Sequence, residues 1–177
     1  MVKPLRKIPL IGPESSGKTT LCSQLAAYFK TSWVPEFARD YVGSLNRKYT
    51  LDDIEFCATK QLESEEKKSE EAQSFLFCDT ELIIAKVWCE DVFKTVPQWI
   101  EDAIASHRYD LFLLTKPDIP FKPDAVRENP HRREFFFNWY KEELEKRKFS
   151  YEIIGETEEK RFANALEAMR KYFADQM

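Results

Sequence analysis

The chain has 177 residues, 43% of them hydrophobic and 33% charged, and a formal net charge of −4. That length suffices for one domain with a full core. No apolar run approaches the ~20 residues of a membrane span, and no Lys/Arg block stands free of acids, so neither membrane nor nucleic acid is an expected partner.

Five short β candidates alternate with helical stretches, the pattern of an α/β protein with a parallel sheet. The basic N-terminus leads straight into the first, residues 7–11, with no long apolar segment to make it a secretory signal. Pro9 lies inside this strand and has no N–H for a ladder, which predicts a bulge or shortened pairing. Directly after it, Gly12-Pro13-Glu14-Ser15-Ser16-Gly17-Lys18-Thr19 fits the phosphate-binding pattern G-x-x-x-x-G-K-S/T. Glycines let successive backbone N–H groups turn toward one anion, Lys18 reaches the β- and γ-phosphates, and the Thr19 hydroxyl can ligate Mg²⁺. A helix is predicted over 17–29, with Leu21, Leu25, Ala26 and Phe29 on one face.

Residues 32–35 read as the second strand and feed the segment 36–41. A long helix is predicted over 51–73, with Asp52 and Asp53 in its first turn. Its second half, 63–71, is almost wholly charged and reads as a solvated face laced with i,i+4 pairs. The third strand, 74–78, ends at Asp79-Thr80, and helices follow over 81–89 and 97–106. Residues 110–115 form a continuous apolar run suited to a sheet covered on both faces. A proline-stiffened loop over 116–129 precedes a helix at 131–147, a strand at 150–154 and a last helix at 157–173. Cys22, Cys57, Cys78 and Cys89 contain no C-x-x-C pair. They read as buried residues of a cytoplasmic protein, neither a disulfide framework nor a zinc site.

Ligands of open α/β sheets collect beyond the carboxyl ends of the strands. There Glu36 can accept a substrate hydroxyl's proton or sit in the outer shell of Mg²⁺. Arg39, three residues on, can fix a polar part of the substrate or simply pair with Glu36. Asp79 is the acid that an Mg²⁺-bound triphosphate needs near Thr19, and it can also cap the next helix. Arg127, Arg132 and Arg133 lie in or just after the proline-rich loop, a lid-like stretch over 116–134, where guanidinium groups can close over phosphates. The nucleotide-contacting set is therefore Gly12, Glu14, Ser15, Ser16, Gly17, Lys18, Thr19 and Thr20 with Arg132 and Arg133. Lys18, Glu36, Asp79 and Arg127 are the catalytic candidates. Glu36, Arg39, Asp79 and Arg127 are placed for substrate, and Thr19 and Asp79 for metal. Phe135, Phe136, Phe137, Trp139 and Tyr140 read as helix core. Trp33, Phe37, Tyr41 and Trp88 lie nearer the edge, where a ring can stack, though core packing is favoured for each.

Four segments occur in order: residues 12–21, Pro-Glu-Phe-Ala-Arg-Asp-Tyr at 35–41, Phe-Cys-Asp-Thr at 77–80 and Pro-Asp-Ala-Val-Arg at 123–127. Together they resemble the ribosylnicotinamide kinase domain of NadR-type proteins, over nearly the whole chain. The resemblance implies a P-loop nucleoside-kinase fold with sheet order 2-3-1-4-5. It also implies phosphorylation of the 5′-hydroxyl of nicotinamide riboside with ATP and Mg²⁺. Carried over, Lys18 and Thr19 hold phosphate and metal, Glu36 and Asp79 are the acids, Arg39 follows strand two and Arg127 is the lid arginine. Two positions depart from the family: Pro35 and Glu63 stand where bifunctional members carry aromatic residues. Pro35-Glu36 is also similar to deoxynucleoside kinases, in which such a glutamate is the base. The adenylyltransferase domain often fused to this kinase is expected to be absent, since no His-x-x-His or His-x-Gly-His motif occurs. Expected partners are a nucleoside and, at most, a second copy of the chain. The rival readings are a deoxynucleoside or nucleotide kinase, and an ATP-binding regulatory module without an acceptor.

Overall fold

The computed structural model describes residues 4–106, 109–124 and 126–177. Of the four segments above, only Ala125 lies outside them. Strands β1 (Arg6–Ile11), β2 (Trp33–Val34), β3 (Phe75–Asp79), β4 (Phe112–Thr115) and β5 (Tyr151–Ile154) form one parallel sheet. Its order, β2-β3-β1-β4-β5, is the one expected. The helices are α1 (Lys18–Phe29), α2 (Phe37–Ser44), α3 (Leu51–Glu71), α4 (Leu82–Phe93), α5 (Gln98–Ser106), α6 (Arg133–Lys146) and α7 (Glu158–Phe173).

Alternation along the strands divides the core into two layers. Ile8, Leu10, Phe75, Phe77 and Leu113 pack with Leu21 and Leu25 of α1 and Met169 of α7. Ile11, Phe112 and Leu114 face the other way, onto Ile54, Ile83, Ile100 and Leu144 of α3, α4, α5 and α6. β3 is buried along its whole length, as an inner strand of a covered parallel sheet must be. All four cysteines are buried and free.

Pro9 is accommodated by the direction of its missing donor. Arg6 N–H bonds Ser74 O and Leu10 O accepts from Thr80, so even-numbered residues of β1 face β3. Lys7 O accepts from Asp110 N, so Pro9 faces β4. No bulge interrupts the β3 ladder, which pairs Arg6 through Leu10, whereas pairing with β4 shrinks to Leu10 and Ile11. Asp110 lies ahead of β4, and its carboxylate accepts from Lys7 N and from Arg6 Nη1, both at 2.8 Å. α4 runs four residues beyond its expected end, since Phe93 still packs on the second core layer. Thr50 and Asp53 form a reciprocal cap that fixes the start of α3.

The 63–71 stretch departs from expectation. Lys60–Glu63 and Lys68–Glu71 pair on the surface at i,i+3 spacing, but Glu65 is only 1% exposed and accepts from Tyr109 Oη at 2.7 Å. A uniformly charged run hides the one member that turns inward.

The turn from β1 into α1 demands glycine at its first position. Gly12 has φ of +150°, and a Cβ there would lie 2.3 Å from Thr115 Oγ1 and 2.6 Å from Thr115 O. Ser15 and Gly17 also have positive φ, 55° and 83°. Ser16 Oγ donates to Pro13 O at 2.7 Å and lies 2.6 Å from Thr115 Oγ1, closing the loop onto β4. Gly12→Ala should therefore destabilise the protein by roughly 2–4 kcal/mol, because a main-chain oxygen cannot move aside without shifting β4. Urea unfolding measures this, and a midpoint equal to wild type contradicts the close approach.

Candidate active site

β3 lies between β2 and β1, so the residues following β2, β3 and β1 meet at one edge of the sheet. Thr19, in the first turn of α1, donates its hydroxyl to Asp79 Oδ2 at 2.5 Å. Asp79 is 1% exposed, and its Oδ1 has no hydrogen-bond partner among the described residues. Burial, and then the Glu36 carboxylate, push its proton affinity up to about 6. Lys18 is buried beside these acids and donates to Gly12 O and Pro13 O, each at 3.0 Å. Burial lowers its pKa, against the pull of Glu36 and Asp79.

Glu36 is the residue before α2, and Arg39 reaches back to it at 3.3 Å. Arg39 also bonds Asp124 at 3.0 Å, and Asp124 in turn pairs with Arg127 at 3.0 Å. A run of alternating charges thus joins the tip of β2 to the loop after β4. Arg127 further donates to Lys122 O.

That loop is fastened to the glycine-rich turn. Glu14 accepts from the backbone N–H of Glu128, at 3.1 Å, and of Asn129. Ser15 Oγ accepts from Lys122 N at 2.8 Å, and Arg133 donates to Ser15 O and Ile119 O, each at 3.0 Å. Burial raises the Glu14 pKa. Thr20 lies exposed on the first turn of α1.

Between these elements opens a pocket of about 160 Å³, lined by the polar residues Glu14, Lys18, Glu36, Arg39 and Arg127 together with Tyr49, Thr80, Ile84, Trp88, Asp91, Phe136 and Tyr140. The lining therefore combines cationic, carboxylate and aromatic side chains. This is an arrangement that can bind an anion, hold a metal and admit a second molecule.

The sequence profile of the AAA domain family matches residues 7–161. The chain belongs to this family. Over 99% of its length the AAA domain chain is similar to the trifunctional NAD biosynthesis/regulator protein NadR of Escherichia coli (strain K12), with 27% identity over 184 residues. It spans about half that protein's length, 45%. Its fold superposes on a crystal structure of NadR protein in complex with NR with a TM-score of 0.82 at 24% identity, covering 96% of this chain and 50% of that one. A thymidylate kinase from Ehrlichia chaffeensis matches with a TM-score of 0.64 at 13% identity, covering 94% and 98% of the two chains. The fold of this AAA domain is that of the P-loop kinases.

The geometry separates residues that the sequence grouped together. Arg132 is not brought to the glycine-rich turn: both its terminal nitrogens are held by Asp91 of α4, at 2.7 and 2.9 Å, over the rings of Phe135 and Phe136. Ser15 directs its hydroxyl to the lid-like loop. Phe136 and Tyr140 serve both core and pocket, and Trp88 stands on the pocket wall, whereas Phe37 and Tyr41 pack around Phe56. Tyr49 and Asp91 were not singled out by sequence. A signal was present: Ile84, Trp88 and Asp91 share one face of α4. Among the described residues no helix is long and apolar enough to cross a membrane.

Glu81 caps α4 by accepting from Ile83 N at 2.8 Å, and burial pushes its pKa from 4.5 up to about 8. The folded protein keeps a proton that the unfolded chain releases. The resulting stabilisation is complete below about 4.5 and is lost as pH rises through about 8. Thermal melts of the protein should decline from pH 6 to 9, and Glu81→Gln, which keeps the capping oxygen, should flatten that decline. Parallel pH curves for the two proteins contradict this assignment.

Proposed function

We propose that this AAA domain chain is a phosphotransferase that moves the γ-phosphoryl group of ATP to a nucleoside hydroxyl, with nicotinamide riboside as the first-choice acceptor. The observation that carries this reading is the convergence of Glu36 and Asp79 on Lys18, beside a pocket that Lys18 and Glu36 line together with Tyr49, Trp88, Phe136 and Tyr140. The similarity to NadR, one of whose structures holds NR, supports the choice of acceptor. On this reading the whole chain works as one kinase domain, with 116–134 as its lid.

Phosphoryl transfer needs positioning and neutralisation of charge more than covalent chemistry from the protein. Backbone N–H groups of the turn cradle the phosphates, and Lys18 leaves the loop carbonyls to reach the β- and γ-oxygens. Thr19 Oγ1 and the unpartnered Oδ1 of Asp79 are suited to Mg²⁺, which uses only one or two protein oxygens beside substrate phosphates and water. When bound, that ion neutralises charge on the β- and γ-phosphates. Among the described residues no cluster of three His, Cys, Asp or Glu side chains is placed to hold a metal without such help.

Asp79 is engaged by Thr19, whereas Glu36 faces the pocket and is steadied by Arg39. Glu36 is therefore the better placed of the two acids to take the acceptor's proton. Arg127 and Arg133 sit where lid closure brings charge to the transferring group. Incubation with Mg·ATP and a panel of nicotinamide riboside, deoxynucleosides and nucleoside monophosphates, read by mass for one added phosphate, tests the reading. Nicotinamide riboside should gain the phosphate, and Lys18→Ala should lower its turnover roughly 10²–10³-fold while shifting Tm by only a few degrees. No phosphorylation of any acceptor, or near-normal turnover in Lys18→Ala, contradicts it.

A further inference from the structure

Thr80 adopts φ of +82°, a conformation that a β-branched residue takes only under strain. Its main chain is pinned there: Thr80 N donates to Leu10 O at 3.1 Å, and Gln61 Nε2 approaches Asp79 O at 3.3 Å and Thr80 O at 3.5 Å. The side chain is 8% exposed, and its hydroxyl is a buried polar group with no partner among the described residues. Strain and an unmade hydrogen bond at one residue are each unfavourable for folding, and sites that tolerate both are commonly functional.

Thr80 stands where two cavities meet. It borders the main pocket, beside Glu36, and also a second recess of about 40 Å³ that continues from it between α3 and α4. Ile54, Cys57, Ala58, Ile84 and Trp88 give that recess apolar walls. Gln61 lies at its edge, but its amide is engaged at both ends, Oε1 accepting from Phe37 N at 3.1 Å. Glu81 has its carboxyl committed to the cap of α4. Thr80 therefore brings a hydroxyl without a partner among the described residues to the junction between Glu36 and the apolar slot.

We propose that Thr80 determines acceptor specificity: its hydroxyl hydrogen-bonds the acceptor nucleoside where the ring leaves the catalytic groove and enters the apolar recess. The inference rests on the kinase reading above and deepens it by naming the class of ring. A base that presents C–H edges to the recess and a single polar group to Thr80 fits. A pyrimidine or purine base, with several carbonyl, amine and ring N–H groups, would bury some of them unpaired.

The test uses the full chain, Mg·ATP and nicotinamide riboside with wild type, Thr80→Val, Thr80→Ser and Thr80→Ala. Valine keeps the β-branch and removes only the hydroxyl. Thr80→Val should raise the KM for the riboside roughly five- to tenfold, the worth of one neutral hydrogen bond, with the ATP KM within about twofold. Thr80→Ser should stay within about threefold of wild type. The Tm of Thr80→Val should not fall, because an unpartnered hydroxyl adds nothing to the folded state. An unchanged riboside KM in Thr80→Val overturns the inference alone, as does an effect confined to the ATP KM, which would put the hydroxyl on the phosphate side. A drop in Tm shared by Thr80→Val and Thr80→Ala, without a change in riboside KM, assigns Thr80 a structural role and also overturns it. If Thr80→Val does not fold, Thr80→Ala is read by the same KM split. Wild type that phosphorylates no acceptor overturns the kinase reading and this inference with it.

Discussion

The hydrogen bond from Thr19 to Asp79 joins two parts of the chain 60 residues apart, and the site is organised around it. It exists because β3 is threaded between β2 and β1, which sets the last residue of β3 against the first turn of α1. The bond uses one carboxylate oxygen and leaves the other buried without a partner among the described residues. A carboxylate in that state holds its proton more tightly than in water, unless positive charge is supplied. Lys18 supplies part of it, but Lys18 is itself buried and opposed by its own desolvation. The cluster is thus poised for a further cation beside an anion, the charge pattern of a metal-bound triphosphate.

Around this centre the elements are tied by interactions of different strength. Glu14 and Ser15 take backbone N–H groups of the lid, and Arg133 returns to the turn, so the lid rests on the phosphate loop. The charge relay Glu36–Arg39–Asp124–Arg127 links the same lid to α2. Its side chains are between 17% and 35% exposed, and such pairs contribute on the order of 0–1 kcal/mol each. Anchoring of that size orders the loop without locking it, as the proposed lid role requires.

What the sequence made legible follows from how strongly each position is constrained. The glycine-rich turn was readable because Gly12 approaches Thr115 too closely for any side chain, so residue type and backbone are bound together. β3 was readable because burial on both faces excludes polar residues from all but its last position. Less visible was Glu65, whose inward turn depends on Tyr109, a residue 44 positions away. Arg132 looked like its neighbour Arg133, and only the placement of Asp91 on α4 separates their roles. Most of the pocket wall was missed for a related reason: Tyr49, Phe136 and Tyr140 carry the same signature as core, and the distinction is which way the space between helices opens.

The most direct test of this electrostatic centre is the proton balance of Mg·nucleotide binding, measured by titration calorimetry at pH 6 in two buffers of different ionisation enthalpy. Asp79, with its proton affinity raised to about 6, should release a fraction of a proton when the Mg²⁺ complex of a non-hydrolysable ATP analogue binds, and Asp79→Asn should abolish that release. Binding with no proton release, or with the same release in Asp79→Asn, would show that the metal–triphosphate does not meet this carboxylate.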